Sequence, residues 1–157
     1  MSTQAFITGV SGPELTAVER AFIRAERPWG FILFKRNVEN PAQVAKLVGE
    51  LRAAAGNPDA PLLIDQEGGR VQRLGPPHWP VYPPGSVFGA LYELDSALGL
   101  RAAWLSARLI AADLAELGIT VDCLPLADVP VAGADAVIGN RAYGTDPAKV
   151  AAIARAV

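Results

Sequence analysis

The densest set of chemically capable side chains lies in Leu62-Leu-Ile-Asp-Gln-Glu-Gly-Gly-Arg-Val-Gln-Arg73. A short apolar run, Leu62 to Ile64, reads as a buried strand and gives way to Asp65, Glu67, Arg70 and Arg73, four charges within nine residues. An ordinary turn does not need so many. Carboxylates accept hydrogen bonds and guanidiniums donate them in a fixed fork, so the set suits a polar ligand. Gly68 and Gly69 let the chain turn tightly after the strand, because a residue without Cβ takes positive φ at little cost. The C-terminal ends of strands are where α/β proteins place their sites.

Other reactive residues are sparse. His78 is the only histidine and Cys123 the only cysteine. No pair of histidines or cysteines has metal-ligand spacing, so no metal site is expected. Cys123 reads as a small buried hydrophobe. The glycines of the 133–144 stretch lack the Gly-Lys-Ser/Thr of a phosphate loop, and no cofactor is implied. The 157 residues suffice for one domain and carry a net charge of -2. That leaves no basic excess for a nucleic-acid backbone. The N-terminus does not read as a secretory signal and no apolar run approaches a membrane span. A cytoplasmic protein with no membrane or obligate protein partner is the expectation.

The elements that position these residues alternate. Ala5 to Val10 reads as a strand, and Thr16-Ala-Val-Glu19 has capping-box spacing for a helix in which Leu15, Val18, Phe22 and Ala25 face a core. Gly30 to Phe34 is apolar without alternation, as in a parallel strand covered on both faces, and is followed by Lys35, Arg36 and Asn37. Asn40-Pro41 starts a helix with Val44, Leu47, Val48 and Leu51 as its stripe. Leu62 to Ile64 is the next strand. Residues 75–89 hold five prolines and read as a stiff loop. Asp95 to Leu117 is the longest helical pattern, with Leu98, Ala102, Leu105, Leu109 and Ala112 facing inward, and Gly118 closes it. Ile119 to Leu124 is a fourth strand, 133–144 is irregular, and Asp146-Pro147 starts a last helix with Val150, Ile153, Ala154 and Val157 in phase. Four strand–helix units in parallel order fit half of an eight-stranded barrel or a complete doubly wound sheet.

Four stretches, in order, resemble family 3 glycoside hydrolases, and more narrowly their bacterial β-N-acetylglucosaminidase branch. Ile64-Asp-Gln-Glu-Gly-Gly-Arg-Val-Gln-Arg73 is similar to the family signature, and Gly30 to Asn37 to a strand ending in Arg-Asn. Leu117 to Val129 resembles an Asn-x-x-Pro-x-x-Asp-Val element, with Pro125, Asp128 and Val129 in place and Asp122 where the pattern has asparagine. Ile138 to Gly144 resembles an Ile-Gly-x-Arg-x-Phe-Gly loop, with Tyr143 in place of phenylalanine.

The resemblance implies the N-terminal portion, about four strand–helix units, of a (β/α)8 TIM barrel, with 1–157 one part of a catalytic domain. It implies that Asp65, Arg73 and Arg141 bind a terminal N-acetylglucosamine, Asp65 accepting from sugar hydroxyls and the arginines donating to oxygen. Glu67, Arg70, Asp128, Arg36 and Asn37 are candidates for pocket or loop support, with Glu67 holding Arg70 or its loop rather than acting as a second catalytic carboxylate. The family's nucleophilic aspartate, its histidine and a Lys-His pair are expected beyond residue 157, so no catalytic residue is assigned here and the chain alone is expected to be inactive. The implied activity is removal of N-acetylglucosamine from peptidoglycan-derived muropeptides by a retaining mechanism. A β-glucosidase of the same family and a non-catalytic sugar-binding half-barrel are the alternatives.

Overall fold

The computed structural model describes residues 2–133 and 135–157. Met1 and Ala134, the latter within the irregular stretch expected over 133–144, lie outside the described residues. The chain divides into two compact units, Met1–Asp65 with Asp113–Asp122, and Gln66–Ala112 with Cys123–Val157.

The first unit is built on a four-stranded parallel sheet. Its strands are β1 (Gln4–Thr8), β2 (Pro28–Leu33), β3 (Leu62–Ile64) and β6 (Val121–Asp122), side by side in that order. Phe31 lies opposite Leu62, Leu33 opposite Ile64, and Ile64 opposite Asp122. The strands therefore end together, and the loops after them share one end of the sheet. Helix α1 (Ala17–Glu26) joins β1 to β2 and α2 (Pro41–Ala55) joins β2 to β3. This is the alternation of the N-terminal portion of a (β/α)8 barrel. The core is Phe31, Leu33, Leu62 and Ile64 from the sheet and Val44, Leu47, Val48 and Leu51 from α2, all buried.

Local chemistry sets both helix starts. Thr16 caps α1 in a full capping box. Its hydroxyl accepts from the Glu19 amide at 3.2 Å and donates to the Glu19 carboxylate at 2.6 Å. That carboxylate also accepts from the amides of Thr16 and Ser11. Burial alone would push the Glu19 carboxyl up, but these hydrogen bonds outweigh it and hold the pKa at about 2, below the ordinary 4.5. Asn40 caps α2 by accepting from the Gln43 amide, with Pro41 at the first helical position.

The second unit contains an antiparallel hairpin, β4 (Gln66–Gly68) with β5 (Val71–Gln72), then α3 (Gly85–Leu94), most of α4 (Ser96–Glu116) and α5 (Pro147–Ala156). Phe88, Ala103, Tyr143, Val150 and Ile153 form its core cluster. The loop expected over 75–89 ends at Pro84. From Gly85 the chain is helical, because no proline follows to block it.

Two expected stripes are out of phase. In α1, Ile23 is buried, whereas Val18 is 80% exposed and Phe22 and Ala25 face outward. Phe22 and Ile23 are neighbours, so two stripes one residue apart fit the same period, and Ile23 with Leu15 takes the core. In α4 the buried residues are Gly99, Ala103, Ile110 and Leu114, while Leu98, Leu105 and Leu109 are exposed. That helix is apolar nearly all round, so periodicity alone does not choose its inner face. The expected strand over Ile119–Leu124 shortens to Val121–Asp122, and β1 is Gln4–Thr8 rather than Ala5–Val10. Cys123, expected to be buried, is exposed. No helix among the described residues is long and apolar enough to cross a membrane.

Candidate functional site

In the first unit the site residues gather at the C-terminal end of the parallel sheet. Asp65, half-buried, directly follows β3, whose last residue pairs with Leu33 and Asp122 in the strands on either side. The turn after β2, Lys35–Asn37, is tied to the segment that follows β1. Asn37 is 0% exposed. Its side-chain oxygen accepts from the Phe34 amide at 2.9 Å, and its amide donates to the carbonyls of Val10 at 3.1 Å and Gly12 at 2.8 Å. Arg36 donates to the same Val10 carbonyl at 2.9 Å and lies over the Phe34 ring. Arg36 and Asn37 thus join two loops at the sheet end.

In the second unit the signature forms the β4–β5 hairpin. Gln66 is its buried anchor, 0% exposed. Its carbonyl oxygen accepts from the Arg73 amide at 2.9 Å and the Leu74 amide at 3.0 Å, and its amide nitrogen donates to the Leu74 carbonyl at 2.9 Å. These bonds close the 66–74 loop and fix the backbone at Arg73. Gln72 does the same for the proline-rich stretch. It donates to Pro80 and accepts from the Tyr82 amide. Gly68, the last residue of β4, and Gly69, which follows it, have φ of 91° and 56°, and a side chain on Gly68 would strike the Pro83 carbonyl.

The charges of the hairpin reach the 137–143 segment. Glu67, expected to hold Arg70 or its loop, pairs with Arg141. Its two oxygens accept from Nε at 2.9 Å and from Nη2 at 2.7 Å of that guanidinium. The side chains are 8% and 19% exposed, so water screens the pair weakly. Arg70 donates instead to the carbonyls of Val137 and Ile138. Helix α3 carries the same segment from beneath. A Cβ on Gly85 would run into the Arg141 carbonyl, and one on Gly89 into the Tyr143 carbonyl. A small cavity lined by Glu67, Arg141, Phe88, Ala103, Leu124 and Tyr143 adjoins the ion pair.

Asp128 is exposed. His78 is exposed as well and stacks edge-on against Trp79. Among the described residues, no cluster of three or more metal-ligating side chains occurs. Gln66 and Gln72 were not singled out in the sequence. The signal for Gln66 was its register: burial alternates through Leu62, Ile64, Gln66 and Gly68, so a step of two from the strand lands on it.

A parallel β/α unit ending in this hairpin matches a known class. The chain belongs to glycosyl hydrolase family 3, whose N-terminal domain model matches residues 7–157. Within the family its relatives fall in the NagZ-like bacterial β-hexosaminidase branch. The β-hexosaminidase of Xanthomonas campestris is 39% identical over 96% of this chain and 44% of its own length. Native NagZ from Neisseria gonorrhoeae has a TM-score of 0.87 at 30% identity, covering 98% of this chain and 44% of that one. A family 3 β-N-acetylglucosaminidase from Paenibacillus has a TM-score of 0.85 at 32% identity, covering 98% of this chain and 28% of its own. The chain therefore spans less than half the length of these relatives.

Proposed function

We propose that residues 1–157 form the N-terminal part of the catalytic barrel of a cytoplasmic β-N-acetylhexosaminidase. The substrate class is a muropeptide derived from peptidoglycan, from which terminal non-reducing N-acetylglucosamine is removed. The observation that carries the reading is the Asp65-to-Arg73 signature following β3, in a chain 39% identical to β-hexosaminidases. A NagZ structure in complex with N-trifluoroacetyl-D-glucosamine, which this chain matches at a TM-score of 0.87, supports an N-acetylated sugar as ligand.

Asp65 is assigned to accept from sugar hydroxyls. Arg73 and Arg141 are assigned to donate to hydroxyl and N-acetyl oxygens. A carboxylate and two guanidiniums bind an uncharged sugar through charge-assisted hydrogen bonds. Hydrolysis with retention then needs a nucleophile and an acid/base about 5 Å apart. We assign neither of them to residues 1–157.

The test compares hydrolysis of 4-nitrophenyl β-glycosides of N-acetylglucosamine and of glucose by the full-length protein. Preference for the N-acetyl sugar, with KM raised in Asp65→Ala, is the expected result. Preference for the glucoside moves the protein to a β-glucosidase. Absence of turnover with both would refute the hydrolase reading and leave a sugar-binding barrel.

A further inference from the structure

We propose that Glu67 is a positioning residue that fixes the guanidinium of Arg141 for substrate. The inference rests on the assignment of Arg141 to the sugar. The signature's second carboxylate then acts on the substrate only through an arginine that lies 74 residues further along the chain.

The grip is side-on. Glu67 occupies Nε–H and one Nη2–H, two of the five donors of a guanidinium. Two parallel bonds to one carboxylate fix the plane of the group as well as its position. Both ends of the pair are themselves anchored. Glu67 stands on the hairpin that Gln66 closes. The Arg141 backbone rests on the glycine face of α3, and Arg70 holds the carbonyls of Val137 and Ile138 just before it. An arginine on an exposed turn samples many rotamers. This one is held from its side chain and its main chain together.

Stability alone is a weak reason for such a pair. Desolvating two charges offsets most of their attraction, and apolar residues of similar volume stabilise as well or better. What apolar residues cannot supply is a guanidinium of fixed orientation. Glu67 also neutralises Arg141, which suits an uncharged sugar.

The experiment is a double-mutant cycle in the full-length protein with the 4-nitrophenyl β-glycoside of N-acetylglucosamine. The variants are Glu67→Gln, Arg141→Ala and the pair, and thermal unfolding is followed for each. Glu67→Gln keeps the shape and removes the charge. It is expected to raise KM roughly 10- to 100-fold, the size of a charged hydrogen bond, with little change in kcat. In the Arg141→Ala background the same substitution is expected to add less than about twofold. An unchanged KM in Glu67→Gln, while Arg141→Ala raises it, overturns the positioning role and leaves the sugar assignment standing. Effects that multiply across the cycle also overturn it, because Glu67 then acts by another route. An unchanged KM in Arg141→Ala overturns the sugar assignment of Arg141 and this inference with it.

Discussion

Replacing Gln66 by leucine tests whether the hairpin is held by one buried amide. The side chains are close in size, so the change removes hydrogen bonding with little change in volume. Bonds to backbone disappear: the amides of Arg73 and Leu74 lose their acceptor, and the Leu74 carbonyl loses one donor. That carbonyl keeps the amide of Gln72 at 2.7 Å. The Leu74 amide belongs to a residue that is 0% exposed, so it has no route to water. A buried donor left without a partner costs about 1–3 kcal/mol. The amide of Arg73, a residue only half-buried, is expected to cost less. Leucine returns about 1 kcal/mol by burying apolar carbon in place of an amide. The net expectation is a loss of about 1–4 kcal/mol, read by equilibrium denaturation of the full-length protein. Amide hydrogen exchange at residues 73 and 74 should accelerate in step. A loss below about 0.5 kcal/mol, with exchange at both amides unchanged, would refute the reasoning.

The glycines of α3 give a prediction with a built-in control. Gly89→Ala forces a methyl group against the Tyr143 carbonyl and is expected to destabilise by about 1–3 kcal/mol. Gly49→Ala, in the exposed interior of α2 with no atom within 4 Å of its new Cβ, should stabilise by about 0.5–1 kcal/mol through helix propensity. Opposite signs in denaturant midpoint check the pair. For the α1 cap, Glu19→Gln should lower stability at pH 7 by about 1 kcal/mol, held small because the carboxylate is partly open to solvent. The Glu19 pKa is depressed on folding, from 4.5 to about 2, so its contribution is complete above pH 4.5 and fades as the pH falls toward 2. Acid titration of both proteins should show the difference between them closing across that window.

The elements that were legible in the sequence are those with one reading. Asn40-Pro41 and the stripe Val44, Leu47, Val48 and Leu51 fix α2 because the helix has a polar face to contrast with its apolar one. The capping box at Thr16 is local chemistry and needs no tertiary context. The faces of α1 and α4 were not legible. Adjacent apolar residues at Phe22-Ile23, and an α4 rich in alanine and leucine, give several phases of equal merit, and packing chooses among them. Helix α3 was hidden by the prolines just before it, which stop at Pro84. In the candidate site, the strand end at Asp65 followed from the change of Leu62-Leu-Ile into charge. The partner of Glu67 did not, since Arg70 is three residues away and Arg141 is 74. Short-range proximity in sequence favours the wrong arginine, and only the fold of the 137–143 segment supplies the right one.

The spacing of the signature follows from what a two-stranded hairpin allows. Side chains in an extended chain alternate, so Gln66 is buried while Glu67 reaches another segment. Glu67 makes its bidentate pair with Arg141 from β4, whose extended backbone sets the direction of the side chain. The turn must then come at once, and it must let Tyr82 and Pro83 pass close by, which Gly68 and Gly69 permit. Arg70, at the turn, is far enough out to reach the Val137 and Ile138 carbonyls. Gln72 comes after it and holds Pro80 and Tyr82. Every polar side chain from Gln66 to Gln72 is therefore committed to holding another segment, and Asp65 and Arg73, two of the three charges assigned to the sugar, precede and follow these residues in the sequence. The signature reads as a brace whose ends carry the ligand chemistry, and the substitutions that test the brace, Gln66→Leu and Glu67→Gln, should act on substrate binding without replacing a group assigned to the sugar.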